Sequence, residues 1–191
     1  MENFDDAITI FEEIIEIDSA QGRVLSNLGS IYYYQGDFEQ SIKYFKEAEK
    51  YTPQSYNLYW SQGRSYYWAG EQSAANEALS KAISIVKQSS PELVLNIASY
   101  YGLMNMVDSA EYYLDACNLS GHPEDLDATE ALLLGELYLI LDRESIAFKY
   151  IESSLSRGFG WLDVRHSPLY KQLAQNRKFQ EMIARSEKAM E

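Results

Sequence analysis

Cysteine is almost missing from this 191-residue chain, and the single Cys117 can close no disulfide within it. Histidine is nearly as scarce. His122 and His166 share no local spacing with Cys117, so a zinc centre or His-based catalysis has little raw material. No stretch of about eighteen apolar residues occurs, which excludes a hydrophobic membrane-spanning helix. The opening Met1-Glu2-Asn3-Phe4-Asp5-Asp6 has no basic segment leading into an apolar one, so no secretory leader is read there, and a cytoplasmic location is expected. Positive charge is also short: 16 Lys and Arg against 29 Asp and Glu leave a net charge of -13 and a pI near 4.6. A nucleic-acid binder needs a basic face to neutralise phosphates, so polyanions and anionic membranes are poor partners. No enzyme activity, cofactor or bound metal is expected.

What is present is unevenly distributed. Residues 161 to 191 hold four acidic and six basic side chains, or +2, while residues 1 to 160 hold 25 and 10, or -15, so the tail is a compositional unit of its own. Tyrosine is abundant at 16 residues, several of them adjacent, as in Tyr32-Tyr33-Tyr34, Tyr66-Tyr67, Tyr100-Tyr101 and Tyr112-Tyr113. Leu28-Gly29 with Tyr32 returns as Gln62-Gly63 with Tyr66, as Ile97-Ala98 with Tyr101 and as Leu134-Gly135 with Tyr138, the small residues lying 34, 35 and 37 apart. Each segment is followed by a turn and then by a second periodic run, filled by Ser41-Phe45-Ala48, Ala75-Leu79-Ala82, Ala110-Leu114-Cys117 and Ala147-Ile151-Ser154. Apolar or small residues at intervals of three and four mark one helix face, so every unit reads helix, tight turn, helix. The small residue of the first helix makes room where the second crosses, and the Tyr one turn later covers the seam. Thr52-Pro53, Ser90-Pro91-Glu92, Asp127 with Glu130, and Ser167-Pro168 read as helix starts, and Gly36 and Gly70 suit left-handed stops.

At these residues the sequence resembles the tetratricopeptide repeat family, whose 34-residue helical hairpins stack into a right-handed superhelix with a concave groove. The segment from 22 to 55 carries the likeness best, with Leu25, Leu28, Gly29, Tyr32, Gly36, Phe38, Phe45, Ala48 and Pro53 in the family's slots. The resemblance implies an all-α solenoid: an orphan second helix in 1–20, four hairpins at 22–55, 56–90, 91–127 and 128–157, and capping helices in 158–191. The second unit departs at Gln62, where a large apolar residue is usual, and the third and fourth lack the turn glycine. Asn3-Phe4, Ala7, Phe11 and Ile14 reproduce Asp37-Phe38, Ser41, Phe45 and Ala48, so the chain reads as beginning mid-repeat. The ending, from Gly158-Phe159-Gly160-Trp161 to Phe179 and Met182-Ile183, resembles the cap of tetratricopeptide domains in bacterial winged-helix regulators, adenylyl cyclases and protein kinases, with Arg177 where that pattern has proline.

In this family ligands lie against the first helices. Residues 25, 28, 29 and 32 point into the stack, so at 100° per residue a stripe through 23, 26, 30 and 33 faces the groove. Continued through the hairpins, it offers Arg23, Tyr33, Asn57, Trp60, Arg64 and Tyr67 in one half and Leu95, Leu132 and Leu139 in the other. The lysines and asparagines with which chaperone-binding members clamp a C-terminal carboxylate are largely replaced, by Ser26, Ser30, Ser61 and Glu92. The reading is a non-catalytic interaction scaffold whose groove takes a peptide or partner helix with acidic and aliphatic residues; the alternative is a regulatory domain of a larger signalling protein. Phe4, Ile8, Phe11, Ile14 and Ile15 are too many for one hairpin to cover, and the reading is a self-contact through this helix or, in a longer parent protein, a preceding helix that covers it.

Overall fold

The computed structural model of the chain describes residues 4–17 and 21–189, and every regular element among them is helical. Asn3, expected as the counterpart of Asp37, lies outside the described residues, as do 18–20 at the edge of the first expected segment. Two compact units divide between Ser90 and Pro91. The first holds α1 (Phe4–Ile17), α2 (Gly22–Gln35), α3 (Phe38–Glu49), α4 (Tyr56–Trp68) and α5 (Gln72–Ser89). The second holds α6 (Val94–Leu103), α7 (Val107–Ala116), a 3-10 turn at Pro123–Asp125, α8 (Ala128–Ile140), α9 (Glu144–Ser156), α10 (Trp161–His166), α11 (Pro168–Lys171) and α12 (Arg177–Ala189). Within each unit neighbouring helices pair as antiparallel hairpins, α2 with α3, α4 with α5, α6 with α7 and α8 with α9. The expected all-α class of stacked helical hairpins is therefore what the chain adopts.

One turn closes all four hairpins. The Gly36 N–H donates to the Tyr33 carbonyl at 3.1 Å and the Asp37 N–H to the Tyr32 carbonyl at 2.9 Å. The same pair of bonds recurs from Gly70 and Glu71, from Asn105 and Met106, and from Asp142 and Arg143. This double closure satisfies the last carbonyls of the helix and needs a left-handed residue. Gly36 (φ 85°) and Gly70 (φ 79°) supply it without strain; Asn105 (φ 58°) and Asp142 (φ 57°) do so in the hairpins that lack a turn glycine. Replacing either by glycine relieves the left-handed cost, and Asn105→Gly and Asp142→Gly are each expected to stabilise by about 0.5–1 kcal/mol, read as a rise in thermal midpoint.

The small residues of the first helices sit where the second helices cross. A Cβ on Gly29 would come within 2.8 Å of the Phe45 ring, one on Gly63 within 2.6 Å of Leu79, and one on Gly135 within 2.6 Å of Ile151. One turn further on, Tyr32 stacks on Tyr44 and Tyr101 on Tyr113, both with centroids 5.4 Å apart, and Tyr138 leans on Tyr150. The second hairpin has Ala78 at the corresponding place, and there Lys46 lies over the Tyr66 ring instead, at 5.5 Å.

Gln62, polar in an apolar slot, is buried because it has a partner. Its amide donates to Glu49 at 3.3 Å, the Tyr59 hydroxyl donates to the same carboxylate at 3.0 Å, and Lys81 lies 3.6 Å away. Burial pushes the Glu49 carboxyl upward, but the hydrogen bonds from Gln62 and Tyr59 and the Lys81 charge outweigh it, so the group is held below its usual range. Burial, then the hydrogen bond to Glu49 and its negative charge, push Tyr59 up to about 12. The two shifts bound stability on opposite sides. The Glu49 contribution is present above the ordinary carboxylate range and is lost as pH falls through its lowered folded value. Between pH 10 and 12 the folded state holds the Tyr59 proton that the unfolded chain has released, so stability falls there as pH rises. Tyr59→Phe is expected to remove roughly 2–3 kcal/mol of that alkaline decline; urea titrations at pH 10 and above, compared with neutral pH, read it out.

Candidate functional site

In the first unit, two aromatic residues of the expected stripe meet at Arg64. Its position follows from helix period: Trp60 and Arg64 stand one turn apart on α4, and Tyr33 lies near the end of α2, which runs beside α4. The guanidinium carbon of Arg64 lies 4.7 Å from the centre of the Tyr33 ring and 5.4 Å from that of Trp60. An arginine flanked by two aromatic faces keeps its charge while losing freedom, because the ring quadrupoles attract the cation. A cavity of about 90 Å³ opens beside it, lined by Ser30, Tyr33, Tyr34, Phe45, Ser61 and Arg64. The Ser30 hydroxyl donates to the Ser26 carbonyl at 3.0 Å, which leaves its oxygen lone pairs as the acceptor it presents. The floor of the cavity is Phe45, fixed by Gly29, so the same close crossing that sets the hairpin also shapes the site.

The other expected residues fall in different places. Tyr67 is half-buried, edge-on to Trp68 at 5.1 Å. Asn57 is exposed two turns before Arg64, and Arg23 is exposed ten residues before Tyr33 on α2, about 15 Å along the axis at 1.5 Å per residue. Arg23 and Arg64 therefore do not form one local pair. In the second unit, Leu95 packs in the core with Ala98, Leu134 and Leu137. Leu132 is 6% exposed and Leu139 is 9% exposed, both in one cluster with Phe148, Val164, Tyr170, Phe179 and Met182. That cluster includes residues of α10, α11 and α12, and a Cβ on Gly160 would come within 3.0 Å of Leu132.

The remaining chemistry-bearing residues have structural work. Asp127 Oδ1 accepts from the Glu130 N–H at 2.8 Å and Glu130 Oε2 accepts from the Asp127 N–H at 3.2 Å, a reciprocal cap that begins α8. The half-buried Cys117 thiol donates to the Tyr113 carbonyl at 3.2 Å, and burial with the nearby Glu130 charge pushes it up, away from the reactive thiolate. Among the described residues no helix is long and apolar enough to cross a membrane. What sequence reasoning missed is Tyr34 and Phe45 as cavity walls; Tyr34 adjoins the stripe residue Tyr33, and Phe45 carried only the signal of a helix crossing.

Residues 22–55 match the model of the tetratricopeptide repeat family. No curated protein matches the chain. The matched segment spans α2 and α3 with the connection to α4, and the hairpin turn and the close helix crossing described above recur beyond it.

Proposed function

We propose that this tetratricopeptide-repeat chain is a non-catalytic interaction module whose first unit binds an acidic peptide segment or C-terminal carboxylate at Arg64. Such repeats generally mediate protein-protein interaction. The observation that carries the finer reading is the Arg64 guanidinium held between Tyr33 and Trp60 at the mouth of a cavity in a chain of net charge -13. Guanidinium binds a carboxylate through paired N–H donors, and the flanking rings exclude water from that bond. Arg, Tyr and Trp are also the side chains on which interface energy concentrates. The 90 Å³ cavity takes one carboxylate-sized group rather than a folded surface, so the ligand is an extended segment that inserts one side chain or terminus.

The test is a titration of the full chain with fluorescent peptides that end in Asp-Leu or Glu-Leu, against amidated and Asn/Gln versions. Arg64→Ala or Trp60→Ala is expected to weaken binding by about 2 kcal/mol or more, and amidation or carboxamide replacement by a similar amount. Lys46→Ala, on α3 over the Tyr66 ring, is expected to change nothing. Equal losses from Lys46→Ala and Arg64→Ala would place the ligand elsewhere and leave the aromatic cage as packing.

A further inference from the structure

The second hairpin lacks a ring that the other three have. Tyr44, Tyr113 and Tyr150 lie against Tyr32, Tyr101 and Tyr138, with ring centres 5.4, 5.4 and 5.7 Å apart. Tyr66 of α4 is the corresponding first tyrosine, but Ala78 of α5 stands where the second belongs, 34 residues after Tyr44 and 35 before Tyr113. The core does not refill the space. A cavity of about 320 Å³ opens there, with Tyr66, Ala74 and Ala78 among its walls, against the roughly 10–15 Å³ that one water needs. Over the Tyr66 ring lies only Lys46 of α3, an exposed side chain whose ammonium is 5.5 Å from the ring centre. A lysine on its flexible four-carbon stem swings aside as a packed tyrosine cannot.

Gln62 marks the same cavity independently. It lines the space and is 4% exposed. Its amide donates to Glu49 at 3.3 Å, while its side-chain oxygen accepts from no group among the described residues. A buried acceptor is seldom left so. In the first hairpin the ring in this place does bring a donor, since the Tyr44 hydroxyl donates to Glu12 Oε1 of α1 at 3.4 Å. Charge narrows the occupant further. Glu49, Glu71 and Glu77 stand around the cavity with Lys46 and Lys81, and Lys81 is shared between Glu49 at 3.6 Å and Glu77 at 3.5 Å. An added anion meets more carboxylates than cations there, whereas a neutral ring needs no counter-charge.

We propose that this cavity takes the phenol ring of a tyrosine side chain from a partner polypeptide, stacked on Tyr66 in the place of the missing ring, with its hydroxyl donating to the Gln62 side-chain oxygen. A free amino acid is a poorer occupant, because its own carboxylate enters among Glu49, Glu71 and Glu77. The cavity shares no lining residue with the one beside Arg64, so the two proposals stand or fall separately.

The probe is N-acetyltyrosinamide, titrated into the isotope-labelled full chain and followed by backbone amide shifts. Saturable shifts centred on Tyr66 and Ala78 are expected. N-acetylphenylalaninamide, which lacks the hydroxyl, is expected to bind at least about threefold more weakly, and Gln62→Leu to erase that preference. Ala78→Tyr restores the chain's own ring and is expected to abolish binding while raising the thermal midpoint. Ala74→Leu, at a half-buried position of the wall, is expected to weaken binding at least about fivefold with the core untouched. Lys46→Ala uncovers Tyr66 and is expected to tighten binding about twofold or more, and Arg64→Ala to leave it unchanged. No saturable shifts, shifts indifferent to both Ala78→Tyr and Ala74→Leu, or equal affinity for the two blocked amino acids overturns the proposal. Tighter binding of free tyrosine than of its blocked form also overturns it, and assigns the cavity to a free amino acid.

Discussion

Phe45→Ala is expected to cost about 3–5 kcal/mol, the largest single loss in the first unit. The side chain is 1% exposed and shares a cluster with Leu25, Ala48 and Leu58, so truncation removes a whole buried ring and leaves a cavity that three other side chains were shaped around. Relaxation is limited because the Ser41 hydroxyl, one turn before it on α3, donates to the Gly29 carbonyl at 2.7 Å and pins the crossing. Urea denaturation reads the loss, and hydrogen exchange of the amides in α2, α3 and α4 localises it. A coupling follows from the geometry. Gly29→Ala alone drives a Cβ against the Phe45 ring and is destabilising, whereas in a Phe45→Ala background the obstacle is gone and the exchange turns neutral or slightly favourable through helix propensity. Additive costs in that double-mutant cycle would mean that the glycine serves something other than the close approach. Because Phe45 also floors the cavity beside Arg64, the same truncation is expected to weaken an acidic ligand beyond what the stability loss explains.

Period and spacing made the helices legible, since a small residue in one helix and a large one sixteen positions later define a crossing without any knowledge of the coordinates. The pairs Gly29 with Phe45, Gly63 with Leu79 and Gly135 with Ile151 are such crossings. The turn was legible only where it used glycine; Asn105 and Asp142 do the same backbone work because their short polar side chains tolerate positive φ, a capacity that composition does not advertise. Gln62 departs from the apolar pattern because its partner Glu49 lies thirteen residues away on another helix, where sequence spacing does not point. The candidate site was half legible for a related reason. Helical period tells which way a residue faces and not what arrives to cover it. Tyr33, Trp60 and Arg64 share a stripe and meet in space, while Leu132 and Leu139 are buried in one cluster with Val164, Tyr170, Phe179 and Met182, residues that have no repeat to announce them.

Gly135→Ala is the second large effect, expected to destabilise by about 2–3 kcal/mol. The same exchange is tolerated elsewhere in the chain, since Ala98 occupies this slot in the third hairpin. The difference lies in what faces it. Leu114, the large residue opposite Ala98, is only half-buried, and Ala110 is the single buried residue of α7, so that hairpin has settled around a methyl group. At Gly135 the added Cβ meets the Ile151 side chain at 2.6 Å and two backbone atoms, the Ala147 carbonyl and the Ile151 nitrogen, each at 3.2 Å. A flexible leucine can rotate away, as Leu79 can from Gly63; a β-branched isoleucine on a packed helix and the backbone behind it cannot. The strain has to move α9 as a body, and α9 carries Phe148, Ile151 and Leu155 into the cluster that also holds Phe179 and Met182 of α12. The expected signature is therefore a lowered thermal midpoint together with faster amide exchange in α9 and α12. Gly158→Ala, which adds a Cβ where nothing lies within 4 Å at φ 80°, serves as the comparison and is expected to cost about 1 kcal/mol through backbone strain alone. If the two substitutions cost the same, the close crossing of α8 and α9 is not what the glycine secures.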